Sequence, residues 1–255
     1  MNIIKNVYYC DVKHGNQTLD VYIPESKEFS VFVFFHGGGL ESGDKEDVEI
    51  VARYLLEKNI AVVSVNYRMY PTAVYPEFIR DAAAAVAWTY RNINHYGKCD
   101  KFYVGGSSAG AYLSMMLCFD ERYLMPYGIS PNTINGYIHN AGQPTCHFNI
   151  LRERNMDSRR VVIDESAPLF YVGTSESYAP MLFIVSDNDM ENRYEQIMLM
   201  VSTMKHFGYE ESKICLKVVH GGHCEHDFMQ DEVGKSVFGK MIFDFITGIS
   251  SAVDC

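Results

Sequence analysis

The segment at residues 220–227, HGGHCEHD, places three histidines, one cysteine and two carboxylates within eight residues. Such a set could bind zinc through imidazole and thiolate groups, or one histidine could be the general base for a distant nucleophile. Consecutive ligands on one short glycine loop are awkward for tetrahedral coordination. A metal site is therefore disfavoured, and the predicted chemistry needs no metal and no other cofactor.

A nucleophile is predicted at Ser108, the central residue of a G-x-S-x-G motif in the sequence GGSSAG. The motif lies between the apolar run KFYV and a helical pattern that begins at Ala109. A serine in such a tight strand-to-helix turn projects its hydroxyl above the sheet, and flanking glycines remove Cβ atoms that would clash. The N–H groups at the start of the helix favour negative charge there. A chance match in a glycine-rich loop is the alternative interpretation.

A second glycine motif, HGGGL at residues 36–40, follows the apolar run VFVFF. Consecutive glycines let the backbone approach a ligand closely and point several N–H groups at it. The oxyanion of an acyl-transfer intermediate needs two or three such donors, and we assign them to Gly38, Gly39 and Ala109. A plain glycine turn is the alternative. His36 is expected to hold the loop rather than to take part in catalysis.

The composition indicates a folded, acidic protein. The chain has 255 residues, of which 47% are hydrophobic and 21% charged, as expected of a packed globular domain. A net charge of −10 argues against a nucleic-acid partner. The seven scattered cysteines are expected to be reduced thiols. No leader pattern or membrane-spanning run is evident, so we expect a cytoplasmic protein with no membrane span, and a homodimer is left open.

The apolar pattern predicts strands that alternate with helices, as in a mostly parallel sheet flanked by helices. The first predicted strand alternates in polarity, as expected near a sheet edge. The predicted strands cover residues 18–23, 31–35, 60–65, 101–104, 181–185 and 213–219. The predicted helices cover residues 44–58, 76–93, 109–119, 191–207 and 230–247. The polar segment 143–177 is interpreted as a small cap or excursion within a single α/β domain that spans residues 1–255.

The motifs HGGGL, VVSVNYRMYPTAVYPEFIRD and GGSSAG, in this order, resemble those of α/β-hydrolases of the hormone-sensitive-lipase and carboxylesterase type. The resemblance is strong over residues 18–120 and extends to the remainder only by pattern. It implies an α/β-hydrolase fold, a serine esterase activity and the oxyanion roles given above. Within the middle motif, Arg68 and Asp81 are expected to form a structural ion pair.

The resemblance also implies that the acid and the base follow the nucleophile in that order. After the predicted strand MLFIV, the sequence SDNDMEN offers three carboxylates, Asp187, Asp189 and Glu191. The family's G-x-x-D pattern aligns Ser186 with the glycine and Asp189 with the acid. We therefore favour Asp189 as the acid and keep Asp187 as the alternative.

The loop after the last predicted strand is where the family places its histidine. His223 directly follows a glycine pair and is the predicted base, whereas His226 fits a pattern similar to the family's H-x-F and is the alternative. His220 is expected to belong to the strand and to pack. The predicted catalytic triad is therefore Ser108, His223 and Asp189.

These features predict a serine hydrolase that cleaves carboxylic esters through an acyl-enzyme. The modest chain length and short excursion favour short, acetyl-type acyl groups on small molecules or carbohydrates. One alternative is an amidase or peptidase on the same machinery, similar to an arylformamidase or a dipeptidyl peptidase. A second is a non-catalytic ligand-binding protein of the same fold, which the presence of candidates for every triad position disfavours.

Overall fold

The computed structural model describes residues 2–12 and 14–248, so Cys255 lies outside the described residues. The described chain contains an eight-stranded sheet with the order β1-β2-β4-β3-β5-β6-β7-β8. β1 and β2 run antiparallel to their neighbours, and the other strand pairs are parallel. The strands are β1 Asn2–Tyr8, β2 Thr18–Ile23, β3 Glu28–Phe35, β4 Ile60–Val65, β5 Lys98–Ser107, β6 Gly136–Asn140, β7 Met181–Ser186 and β8 Ile214–Val219.

Helices cover both faces of the sheet, which confirms the predicted α/β class. They are α1 Glu49–Leu56, α2 Glu77–Asn92, α3 Ala109–Phe119, α4 Phe148–Glu153, α5 Arg193–His206 and α6 Val237–Thr247. In β3, Val33 and Phe35 belong to the core that contains α2, α3 and α5. The alternate residues Phe32 and Phe34 pack in the core that contains α1 and α6. Because successive side chains of a strand point to opposite faces of the sheet, one apolar strand contributes side chains to both cores.

The parallel order places the carboxyl ends of β3, β5, β6, β7 and β8 along one edge of the sheet. The three turns predicted to carry chemistry, which follow β5, β7 and β8, therefore converge at this edge. The HGGGL loop follows β3 at the same edge, because β3 is the parallel neighbour of β5.

Several predicted elements differ from the observed ones. β1 and β6 were not predicted. β2 lies next to the edge strand, as expected, but it is buried throughout rather than half-exposed, because β1 pairs along its outer side. Helix α6 begins at Val237 instead of 230, since residues 230 and 236 form an isolated bridge. The segment 143–177 is largely irregular, with α4 near its start.

Two sequence-based expectations concern membrane-spanning helices and cysteines. No helix among the described residues is long and apolar enough to cross a membrane. The cysteines at positions 10, 99, 118, 146 and 224 are thiols that form no disulfide.

Candidate active site

Ser108 lies in a strained turn between β5 and α3, with φ 54° and ψ −113°. Neighbouring backbone leaves no room for side chains on either side of it. A Cβ on Gly106 would lie 2.5 Å from the carbonyl oxygen of Phe35, and one on Gly110 would overlap the same oxygen. The glycines of the G-x-S-x-G motif are therefore required by packing, as predicted, and the turn presents the Ser108 side chain at the edge of the sheet.

Three distant side chains form a continuous chain of hydrogen bonds. His223 Nε2 lies 2.8 Å from Ser108 Oγ, and His223 Nδ1 lies 2.5 Å from Asp189 Oδ1. Because an ionised carboxylate can only accept, Nδ1 carries the proton and Nε2 is free to accept one from the serine hydroxyl. The residues predicted as nucleophile, base and acid are thus brought together in the order that general-base activation of a serine needs.

Asp189 is held as a carboxylate in a buried position, with no exposed side-chain surface. Burial by itself would raise its pKa, but hydrogen bonds from His223 and from the N–H groups of Met190 and Ser186 outweigh burial and lower the pKa below its ordinary value. The acid therefore stays ionised and keeps the imidazole oriented.

The alternative acid, Asp187, contacts a different histidine. Its Oδ2 lies 2.8 Å from His220 Nδ1, and its Oδ1 accepts a hydrogen bond from the N–H of Gly221. The expectation that His220 packs in the strand is wrong, because β8 ends at Val219 and the His220 side chain is 95% exposed. The pair of His220 and Asp187 lies in solvent and has no contact with Ser108.

The alternative base, His226, points away from the nucleophile. It is buried, its Nε2 lies 2.7 Å from Asn140 Oδ1, and its ring packs edge-on against Phe238. Burial lowers the pKa of His226 to about 4, so its imidazole is neutral near neutral pH. The structure therefore places His223, and not His226, against Ser108.

Two of the three predicted oxyanion residues, Gly38 and Gly39, line the cavity beside Ser108. Gly38 and Gly39 have φ values of 103° and 66°, which favour glycine, and a Cβ on Gly38 would overlap the carbonyl oxygen of Ser42. The N–H groups of Gly38 and Gly39 have no backbone acceptor among the described residues. Ala109 is the first residue of α3, so its N–H has no acceptor within the helix. The oxyanion role of these three N–H groups stays a prediction.

Buried side chains support this loop from beneath. His36 donates from Nδ1 to the carbonyl oxygen of Gly37 at 2.7 Å and stacks on Tyr67, whose hydroxyl donates to the carbonyl oxygen of His36. Burial lowers the pKa of His36, which keeps it neutral. Arg68 and Asp81 form the expected bidentate ion pair, with bonds of 2.9 and 2.8 Å. Neither His36 nor the ion pair contacts Ser108.

Helix α4, in the segment 143–177, forms one wall of the site. The Phe148 ring lies over Gly39, and Asn149 Nδ2 donates to the carbonyl oxygen of Gly39 at 3.0 Å. Arg152 also pairs with Glu41 at 3.0 Å. The excursion thus holds the HGGGL loop in place as well as shaping the pocket.

The cavity at Ser108 has a volume of about 330 Å³ and is mainly apolar. Among three nearby aromatic residues, Phe148 lines this cavity, whereas Tyr67 is fully buried and Tyr75 lines a separate groove. The apolar wall consists largely of Phe34, Val51, Phe148, Met190, Phe228 and Phe238.

The three histidines of the HGGHCEHD segment have separate partners, as described above. No group of three or more histidine, cysteine or acidic side chains within the described ranges is arranged to hold a metal ion. The crowded segment is a loop in which each histidine has its own hydrogen-bond partner.

One buried residue beside the site, Asn140, was not predicted from the sequence; it is the last residue of β6. It pairs with Ser107 across the β5–β6 ladder. The available signal was the short run GYIHN, which ends at the carboxyl edge of the sheet where the other site residues lie.

Two family profiles match the sequence. The BD-FAE profile matches residues 19–125, and the profile of the prolyl oligopeptidase family matches residues 77–247, about two thirds of the chain. A probable isoprenylcysteine alpha-carbonyl methylesterase of Arabidopsis thaliana is 31% identical over 42% of this chain and 26% of its own length. A carboxylic ester hydrolase of Mycobacterium tuberculosis is 34% identical over 41% of this chain and 28% of its own. These matches thus span less than a third of each relative.

Solved structures match nearly the whole chain. A propionate-bound esterase from Thermogutta terrifontis superposes with a TM-score of 0.76 at 20% identity, over 96% of this chain and 94% of its own. A truncated carbohydrate esterase from gut microbiota gives a TM-score of 0.74 at 17% identity, over 97% and 96% of the two chains. At these identities the likeness establishes the fold, and the predicted α/β-hydrolase fold is confirmed.

Proposed function

The chain belongs to the prolyl oligopeptidase family, and we propose that it is a serine carboxylesterase that forms an acyl-enzyme at Ser108. The observation that carries this proposal is the unbroken chain of hydrogen bonds from Asp189 through His223 to the Ser108 hydroxyl. The ester hydrolases among its partial-length relatives support an ester as the substrate.

In the proposed reaction, His223 Nε2 takes the hydroxyl proton as Ser108 Oγ attacks the ester carbonyl carbon. The resulting oxyanion is stabilised by the N–H groups of Gly38, Gly39 and Ala109. Each donor of this kind is typically worth about 3 kcal/mol in the barrier. His223 then gives its proton to the leaving alcohol, and the acyl group stays on Ser108 Oγ. A water molecule, deprotonated by the same imidazole, hydrolyses the acyl-enzyme and restores the serine.

The size and lining of the cavity favour a small acyl group. Its volume of about 330 Å³ lies at the low end of ligand-binding cavities, which run from about 300 to 1,000 Å³. Aromatic side chains at Phe34, Phe148 and Phe238 leave room for acetyl-type and similar short chains rather than long fatty acyl chains. We therefore propose short-chain acyl esters of small molecules or carbohydrates as the substrate class.

The direct test compares p-nitrophenyl acetate, butyrate and octanoate as substrates, together with labelling by a fluorophosphonate probe. We expect the wild type to prefer the two shorter esters and to be labelled at Ser108. Ser108→Ala should abolish both hydrolysis and labelling while leaving the melting temperature close to that of the wild type. Ser202→Ala, at an exposed position of α5, is the matched control and should keep both activities. Labelling at another serine would contradict the proposal.

Amide or peptide hydrolysis is the second candidate, and the prolyl oligopeptidase profile is the observation that favours it. The same triad could attack an amide, provided that His223 protonates the leaving nitrogen. Parallel assays on a formamide, an aminoacyl p-nitroanilide and p-nitrophenyl butyrate separate the two activities. A higher kcat/KM on either amide than on the ester would replace the carboxylesterase assignment. Tight binding of a ligand with neither labelling of Ser108 nor turnover of any substrate would favour the non-catalytic alternative.

A further inference from the structure

Three polar atoms of Asn140 join the end of β5 to the histidine loop, residues 220–227. Its carbonyl oxygen accepts a hydrogen bond from the N–H of Ser108 at 2.7 Å. Its side-chain Oδ1 lies 2.7 Å from His226 Nε2. Its Nδ2 donates to Asp227 Oδ1 at 2.6 Å and to Ser107 Oγ at 3.0 Å. The side chain is fully buried, so these bonds have no competition from water.

The orientation of the Asn140 amide in the structure determines the donors and acceptors of this network. Because the amide oxygen of Asn140 can only accept, Nε2 of His226 carries the proton of the neutral ring. The amide nitrogen can only donate, so Asp227 and Ser107 must present acceptors to it. Asn140 therefore donates a hydrogen bond to Asp227 and accepts one from His226, two neighbouring residues of the loop.

Asp227 and Cys224 also contact Ser107 and the Ser108 backbone directly at the end of β5. Two further hydrogen bonds hold the histidine loop to a different part of the site. Ser186 Oγ donates to the carbonyl oxygen of Gly222 at 2.8 Å, and the N–H of Asn188 donates to the carbonyl oxygen of Gly221. These bonds fix the loop relative to the turn after β7, which carries Asp189. They do not fix it relative to Ser108, which lies at the end of β5.

We propose that Asn140 is a positioning residue that sets the distance between His223 and Ser108 by holding His226 and Asp227 against the end of β5. This inference rests on the proposed function, because it concerns the geometry of the same serine and histidine. A displacement of about 1 Å at such a contact typically costs about 100-fold in rate, so the bridge is expected to act mainly on kcat.

The test replaces the donor with an acceptor of the same shape. Asn140→Asp keeps an oxygen for His226 but places a second carboxylate against Asp227. Two carboxylates at this distance cannot both ionise without strong repulsion, and one shared proton would restore the bond. At about pH 8 we expect kcat and the rate of fluorophosphonate labelling to fall by about 100-fold relative to the wild type, with a smaller change in KM. At about pH 5.5 the deficit should shrink to less than about 10-fold.

The double substitution Asn140→Asp with Asp227→Asn exchanges the two groups and restores one donor facing one acceptor. It should return kcat and labelling to within about 5-fold of the wild type at both pH values. A general loss of packing would not be repaired by this exchange. Recovery in the double variant therefore separates positioning from a merely structural role.

Other ionisable groups near the bridge are shared by wild type and variants. They are Cys224 and His226 beside Asp227, Asp189 and His223 beside His226, and Arg193, whose guanidinium donates to the carbonyl oxygen of Ala141. Burial raises the pKa of Asp227 to about 7. Because the wild type contains all of these groups, the ratio of variant to wild-type rate at each pH isolates the change at position 140.

Asn135→Asp is the matched control at the opposite end of β6. Asn135 Oδ1 accepts a hydrogen bond from the N–H of Phe102 at 2.8 Å, and an aspartate keeps that acceptor. This variant should match the wild type in kcat and labelling at both pH values.

Wild-type rates in Asn140→Asp at about pH 8, or no recovery in the double variant, would overturn the inference. If Asn140→Asp does not fold, the double variant decides alone, and its failure to fold or to react also counts against the bridge. Labelling of Ser108 needs no substrate. The inference can therefore hold even if no ester is hydrolysed, and it can fail in an active esterase.

Discussion

Two histidine–aspartate pairs bridge the same two loops, and only one of them contacts a serine. His223 and Asp189 are 2.5 Å apart with side-chain exposures of 23% and 0%, and His223 reaches Ser108. His220 and Asp187 are 2.8 Å apart with exposures of 95% and 45%. The two pairs match in residue type and in the imidazole nitrogen, Nδ1, and their separations along the chain are 34 and 33 residues.

The difference between the pairs is their surroundings. Water screens the charges of the exposed pair, so its hydrogen bond contributes little and orients nothing else. The buried carboxylate of Asp189 instead fixes the ring whose second nitrogen faces Ser108 Oγ. A short contact between a histidine and an aspartate is thus not by itself a sign of catalysis, and three predictions test this conclusion.

The largest expected contrast is between His223→Ala and His220→Ala. Loss of the base should lower kcat for p-nitrophenyl butyrate by about 10⁶-fold, as for the base of other serine hydrolases. His220→Ala should stay within about 2-fold of the wild type, because an exposed pair contributes little. Melting temperatures of both variants show whether the fold is kept. Loss of activity in His220→Ala alone would reverse the roles assigned to the two pairs.

A smaller contrast is expected between the two acids. Asp189→Asn keeps the shape of the side chain but favours the wrong tautomer of His223, and it should lower kcat by about 10⁴-fold. Asp187→Asn should change kcat by less than about 2-fold, because the amide oxygen can still accept from the N–H of Gly221. Steady-state kinetics on the same ester measure both. Equal losses would mean that both carboxylates serve the reaction.

The smallest effect concerns the stability of the exposed pair. A hydrogen bond and charge attraction from Asp187 raise the pKa of His220, and the same contacts lower the pKa of Asp187. A raised histidine pKa stabilises the fold below the unfolded value of about 6.5, and this stability is lost as the pH rises through the folded pKa. A lowered aspartate pKa stabilises above about 3.8, and this stability is lost as the pH falls.

The melting temperature of the wild type should therefore exceed that of His220→Gln slightly near pH 5.5, and the gap should close in more alkaline buffer. Thermal scans at low ionic strength make the gap easiest to see, since salt screens an exposed pair. A gap that widens with rising pH would contradict this assignment of charges.

A site residue could be predicted where a recognisable motif directly follows a predicted strand. Ser108 follows an apolar strand and precedes a helix within a glycine frame, so local sequence alone places it. His223 and Asp189 needed the order of the turns along the sheet as well. The sequence does not determine which histidine of the loop, His220 or His223, is buried. Burial depends on how the chain turns at the glycine pair between them.

Asn140 could not be found in this way because its strand was not recognised. β6 has only five residues, begins with Gly136, and contains His139 and Asn140, so it lacks the apolar run of the other parallel strands. It forms a central strand because β5 and β7 pair along both of its sides. Tertiary pairing, rather than local preference, makes this segment a strand.

The close approach of Gly106 and Gly110 to the carbonyl oxygen of Phe35 has a consequence for sequence comparison. A protein that has replaced the serine and lost its chemistry still needs both glycines to let this helix start so near the strand. The presence of the two glycines therefore indicates only that the chain forms this strand-to-helix turn. An inactive relative would keep both glycines. An active hydrolase is distinguished from it by a serine at the position of Ser108 and a histidine at the position of His223.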